Sequence, residues 1–411
     1  MKDSLLKTYA ELIIKRGVGL TSGDILVIEE ASVSAVEFIR VLTKVAFENG
    51  AKDVIVHLDD SELTKIRLEN ASLSTLADVP KWWVESRTMY MDRHACYLRL
   101  IDEAPDVYAD VDKDKLAAWK SATSLPLKQL GFVKKDNKVK WSALALPGKK
   151  WAMKVYPGIP EQEAVGKLWD AILKACYIDE NRGITGWDEH VENMQVKVKE
   201  INSLKLKSLI FRNSLGTSIS MDLCSDAIFA GGICHCPEPD GDLFAPNIPT
   251  EEILTTPDRR TASGVVYSSM PFVYAGNIVD GVRLEFYQGR VVDYSAKIGE
   301  DVLTKIVEMD EGSCRLGEVA LVPQSSPINQ MKTLFYNTLF DENAACHMAL
   351  GAGYTDMILG EDRSEEALRE KGLNSSSIHV DFMFGTADLS CTGVAENGNR
   401  IQIFEGGEFC I

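Results

Sequence analysis

An α/β N-terminal domain with a parallel sheet, followed by an α+β, β-rich second half, is the fold class this sequence predicts. Three observations carry it. The opening residues run strand, helix, strand with no turn tight enough for a hairpin. The later residues alternate in polarity between tight-turn signals. A chain of 411 residues also exceeds what one hydrophobic core holds, so it divides in two, read here as 1–185 and 186–411.

Taken in order, Leu5, Leu6, Tyr9, Ala10, Ile13 and Ile14 fall at helical spacing, and Gly17 and Gly19 close that helix. Ile25-Leu26-Val27-Ile28 is a short apolar run suited to a buried strand. Ser32 or Ser34 offers a cap to a helix carrying Val36, Phe38, Ile39, Leu42, Val45 and Ala46, which Asn49-Gly50 stops. Asp53–Leu58 is the next strand, completing a βαβ unit and implying parallel pairing. The pattern continues through Cys96–Leu100 and Trp151–Val155, with helices near Gln162–Cys176 and Trp187–Ile201 and a joint at Gly183-Ile184-Thr185-Gly186. The lysine-rich stretch from Lys134 to Lys150 reads as a solvated loop or hairpin. No Gly-x-Gly-x-x-Gly follows a strand, so the βαβ unit is not read as a dinucleotide site.

The second half changes character. Asn213-Ser214-Leu215-Gly216, Val279-Asp280-Gly281-Val282, Tyr287-Gln288-Gly289-Arg290 and Glu405-Gly406-Gly407-Glu408 mark turns between strand-like runs, with one helix over Asp301–Met309.

A net charge of -17 argues against nucleic acid or an anionic membrane as partner. No apolar run approaches the ~20 residues of a membrane helix, and Met1-Lys2-Asp3-Ser4 leads into an amphipathic helix with no signal-peptide core. Nine irregularly spaced cysteines read as reduced thiols of a cytoplasmic protein. Cys224, Cys234, His235 and Cys236 lack the spacing of a zinc knuckle and read as buried thiols.

The chemistry concentrates after Asn247. Six histidines exist, and two of them sit beside acids there. His379-Val380-Asp381 places an imidazole and a carboxylate on one face of a strand, where a metal or a simple His–Asp hydrogen bond satisfies both. Glu342 and His347 lie five apart, which is not a same-face helical spacing, so a turn is expected between them. Glu251 and Glu252 are adjacent, so in extended chain they face opposite ways and should not both meet one ion. Glu318 precedes an apolar run and taken alone is a strand-entry residue; Tyr354 follows Gly351-Ala352-Gly353 and taken alone is a surface tyrosine. Together, four carboxylates and two imidazoles suit two divalent cations sharing one carboxylate, with a phenol as donor, and hence metal-assisted hydrolysis.

The ordered set resembles the M29 metallopeptidases, the aminopeptidase T and aminopeptidase S group. It comprises Asn247–Glu252, Glu285–Val291, Gly317–Ala320, Asp341–His347, Gly351–Tyr354 and His379–Asp381, with Tyr9–Ile13 and Asn49–Lys52 nearer the N-terminus. The resemblance implies that residues 186–411 form the catalytic domain. It makes Glu252, Glu318, Glu342, His347, His379 and Asp381 the metal ligands, Glu318 the bridging carboxylate and Tyr354 the active-site tyrosine. It implies two divalent ions, zinc or cobalt first and manganese or magnesium also able to serve. The activity implied is removal of N-terminal residues from short peptides with a free N-terminus, by a homodimer. Glu251 is a candidate proton carrier. A narrow-specificity metal-dependent amidase or dipeptidase is the alternative, and a non-enzymatic protein that kept the fold is a third reading. The loop Leu373–Ser377 departs from the family pattern in length and polarity.

Overall fold

Hydrophobic periodicity becomes two sets of sheets in the computed structural model, which describes residues 3–93, 95–104, 106–237 and 241–411. The chain separates into two units: Met1–Glu189 with Ile233–Pro249, and His190–Gly232 with Thr250–Ile411. The short segment Ile233–Pro249 thus belongs with the N-terminal residues, a return that the linear reading 1–185 and 186–411 does not contain. Among the described residues no helix is long and apolar enough to cross a membrane.

The first unit holds a five-stranded parallel sheet in the order Asp53–Leu58, Ile25–Ala31, Cys96–Ile101, Trp141–Ala145, Asn247–Ile248. The helix Val36–Glu48 makes the crossover and buries Phe38, Ile39, Leu42, Val45 and Ala46. Tyr9, Phe38 and Trp169 stack mutually at ring centroid distances of 5.6–5.9 Å, and the Tyr9 hydroxyl donates to Ala145 O at 2.9 Å. Aromatic packing of this kind contributes about 0.5–1.5 kcal/mol per pair beyond area burial.

Three local expectations are corrected. The fourth strand is Trp141–Ala145, whereas Trp151–Val155 lies in the helix Lys149–Val155. The lysine-rich stretch is accordingly not a solvated loop or hairpin: it ends one helix, Lys128–Lys135, enters this buried strand and begins the next helix. The charges flank an apolar pentapeptide, and pairing with Cys96–Ile101 decides its state. Ser32 and Ser34 do not cap the following helix; both hydroxyls donate to the Asp102 carboxylate.

Lys140 immediately precedes that strand, only 4% exposed, and donates to Asp24 Oδ2 and Asp242 Oδ2, both at 2.8 Å, and to Gly19 O at 3.0 Å. Burial opposes the Lys140 charge, but the Asp24 and Asp242 carboxylates beside it push its pKa above the ordinary 10.5. Burial would raise Asp24 too, yet hydrogen bonds from Lys140 and Thr21 hold it below its ordinary 3.8. The lysine contribution is full below its ordinary value and lost only as pH rises through the raised one. The aspartate contribution is full above its ordinary value and lost as pH falls through the depressed one. Lys140→Met leaves two half-buried carboxylates without their shared cation and is expected to cost about 3–5 kcal/mol near neutrality. The loss should shrink only as pH falls below the ordinary aspartate value of 3.8, as denaturant titrations at pH 7 and about pH 2 would reveal.

The second unit is antiparallel. A four-stranded sheet runs Ile253–Thr255, Leu316–Leu321, His347–Gly351, His379–Met383. An eight-stranded sheet runs Arg290–Ser295, Arg283–Tyr287, Ser263–Tyr267, Ser218–Asp222, Leu206–Arg212, Ser390–Ala395, Arg400–Glu405, Glu408–Phe409. The hairpins expected at 213–216, 287–290 and 405–408 all form. Leu209, Phe211, Ile219 and Met221 of the larger sheet share one core with Val319, Leu321, Met348, Leu350, Val380 and Phe382 of the smaller. By strand alternation, the residues between those apolar ones point away from the core.

Candidate metal centre

The face of the four-stranded sheet turned from the core carries Glu318, His347, His379 and Asp381. Register explains how they meet. Glu318 pairs with Ala349, which pairs with Asp381; His347 pairs with Ala320, and His379 with Gly351. Glu318 therefore sits centrally, with one histidine two positions along in each direction, within diagonal reach of long side chains. A bulge between Leu316 and Glu318 resets the alternation so that Leu316 stays in the core while Glu318 faces the site. Ala320, Ala349 and Gly351 separate the functional residues on this face, and their small size leaves room for the carboxylates. Gly351 has φ +110°, and a Cβ there would meet Ile378 O at 2.1 Å, so no other residue fits.

The side chains converge. His347 Nε2 lies 3.0 Å from Glu252 Oε2 and 3.5 Å from Glu318 Oε1. His379 Nε2 lies 3.1 Å from Glu318 Oε2 and 3.2 Å from Asp381 Oδ1. Two donor sets result: Glu252, Glu318 and His347, and Glu318, His379 and Asp381, each with ligand atoms within 4.8 Å of one another. Among the described residues Glu318 is common to both sets, and neither contains a cysteine. Glu318 is 3% exposed and His347 1%.

Backbone carbonyls orient both imidazoles. His347 Nδ1 meets Ala345 O at 3.2 Å and His379 Nδ1 meets Ala352 O at 2.7 Å, which leaves each Nε2 directed at the carboxylates. Glu342 opens the short turn Glu342–Ala344, as its spacing from His347 required, and stands outside both sets. Burial first, then the charges of Asp381 and Glu252, push its carboxyl well above the usual range. Burial raises Glu252 as well, while for Glu318 hydrogen bonds from His347 and His379 outweigh burial and lower it to about 2. The neighbouring Asp341 faces elsewhere, accepting from Phe335 N and Asn337 N.

The Tyr354 ring lies 5.1 Å from that of His379, tilted by 57°. Burial, and then the charges of Glu318, Asp381, Glu252 and Glu342, raise its pKa well above 10.0, so the hydroxyl keeps its proton. The Glu251 carboxylate lies 3.6 Å from His190 Nε2.

Divalent cations fit these donors: the two imidazoles and three carboxylates of the two sets are hard-to-borderline ligands, and carboxylates drawn together out of water call for compensating positive charge. Sequence reasoning missed Asn343, which is fully buried, accepts from Glu251 N at 2.7 Å and donates to Leu339 O at 2.9 Å. It ties the segment bearing Glu252 to the turn bearing Glu342. A neutral amide inside an acidic motif gives no signal of that link.

The family model described as thermophilic metalloprotease (M29) matches residues 2–409. Aminopeptidase AmpS of Bacillus subtilis is 37% identical over 98% of this chain and 98% of its own. Aminopeptidase 2 of Geobacillus stearothermophilus is 36% identical, over 98% and 97% respectively. The solved structure of wild-type AmpT from Thermus thermophilus superimposes with a TM-score of 0.92 at 32% identity, covering 99% of both chains.

Proposed function

The chain belongs to the M29 metallopeptidase family, and from that premise we propose that it removes N-terminal residues from short peptides at a centre of two divalent cations. The observation that carries this reading is the pair of donor sets sharing Glu318. Relatives named as aminopeptidases over nearly their whole length support the reaction class.

Glu252, Glu318 and His347 would hold one ion, and Glu318, His379 and Asp381 the other, with Glu342 available beside them. Bound there, the ions supply Lewis acidity, bringing a water nucleophile within reach of neutral pH and polarising the scissile carbonyl. Zinc and cobalt suit the mixed imidazole and carboxylate donors, and manganese or magnesium is compatible. The protonated Tyr354 hydroxyl donates to the oxyanion that develops on the carbonyl. A carboxylate must carry a proton from water to the leaving amine, and Glu251 is our assignment, its backbone fixed by Asn343.

Leucyl anilide and its N-acetyl counterpart test the substrate class. A site built to bind a free amine is expected to reject the acetylated compound by on the order of 10⁴-fold. An amidase of narrow specificity would cleave both. Dialysis against a chelator should abolish turnover, and adding back zinc or cobalt should restore it. A stripped preparation of full activity would contradict the two-cation reading.

A further inference from the structure

The segment Leu373–Ser377 has no regular secondary structure, yet it leads directly into the strand bearing His379 and Asp381. One carboxylate holds it. Asp310 accepts from Ser376 Oγ at 2.8 and 2.9 Å, from Ser377 N at 2.7 Å and from Ser377 Oγ at 2.7 Å. The same carboxylate accepts from Gly312 N and Ser313 N, each at 2.9 Å, so its own turn is fixed before it reaches the loop. These bonds to an ionised acceptor are the stronger kind.

The clamp connects to the centre in two short steps. Ile378 follows Ser377, and its carbonyl accepts from Ala352 N at 2.8 Å; Ala352 O in turn receives His379 Nδ1. Asn374, buried in the same loop, donates to Gly312 O at 2.8 Å and Gly351 O at 2.6 Å, and its carbonyl accepts from Gly353 N, beside Tyr354. Gly312 lies so close that a Cβ on it would meet Ser375 O at 1.9 Å. The other donor set has separate supports, Asn343 for the Glu252 segment and Ala345 O for His347.

We propose that Asp310 is a positioning residue for one half of the centre: by clamping Ser376 and Ser377 it sets where His379 and Asp381 present their donor atoms. The inference rests on the two-cation reading above. It gives the polar character of this loop a purpose, since Ser376 and Ser377 supply the hydroxyl donors that Asp310 receives. It also makes the effect selective, because the Glu252 segment and His347 have their own supports in Asn343 and Ala345 O rather than in Ser376 and Ser377.

Cobalt(II) binding to the full-length metal-free chain, followed by calorimetric titration and equilibrium dialysis, tests it. Wild type is expected to bind two ions. Asp310→Ala and the double variant Ser376→Ala/Ser377→Ala should each bind one ion as wild type does and the second about 10–100-fold more weakly. The double variant leaves the Asp310 turn intact, so it reports on the clamp even where Asp310→Ala folds poorly. Two ions bound at wild-type affinity by the double variant overturn the inference while leaving the two-cation reading in place. Equal weakening of both ions also overturns it, as a general structural effect would. A wild-type stoichiometry below two overturns the two-cation reading and this inference with it.

Discussion

Glu318→Gln is expected to lose both cations together and to lower kcat/KM by at least about 10³-fold, the several kcal/mol that a metal centre supplies. The two oxygens of Glu318 serve different neighbours, Oε1 toward His347 and Oε2 toward His379. Glutamine has the same shape but turns one oxygen into an NH2 group, which donates and cannot ligate. It also removes the one charge common to both sets. Asp381→Asn, which touches a single set, should spare the ion held with His347. Elemental analysis of both variants after dialysis separates the cases. Two ions retained by Glu318→Gln, with turnover intact, would mean that no carboxylate is shared.

Tyr354→Phe should lower kcat by about 10²–10³-fold while metal content stays unchanged, the loss typical of one oxyanion donor. The phenylalanine ring keeps the packing against His379, so only the hydroxyl is deleted. Because the donor acts on charge that appears in the transition state, KM for a leucyl anilide should move little. Steady-state kinetics with metal analysis on the same preparation check it. A fall in metal content would instead make Tyr354 a support for His379, and unchanged turnover would remove it from the reaction.

How far the sequence reveals this centre depends on how local each relation is. His379 and Asp381 share a strand face by period two, and that pairing is legible from three residues. The turn between Glu342 and His347 follows from their spacing. Glu318 is different: its position beside both histidines depends on antiparallel register and on the bulge after Leu316, neither written in its neighbours. The resemblance to a family supplied that assignment. Asp310 lies 66 and 67 residues from the serines it holds, and its sequence context shows only an acidic turn. In the first half, Trp151–Val155 misled because a short apolar run fits strand and helix alike, and strand pairing by Trp141–Ala145 decided the matter.

The alternation that splits the four-stranded sheet into a greasy side and a liganding side has a consequence for how such a chain can drift. Adding or deleting one residue within Leu316–Leu321, His347–Gly351 or His379–Met383 would swap the sides beyond that point, sending an imidazole or carboxylate into the oil and a methionine or phenylalanine into the cage. Odd-numbered length changes there are disabling unless a bulge absorbs the extra residue, as the one between Leu316 and Glu318 does.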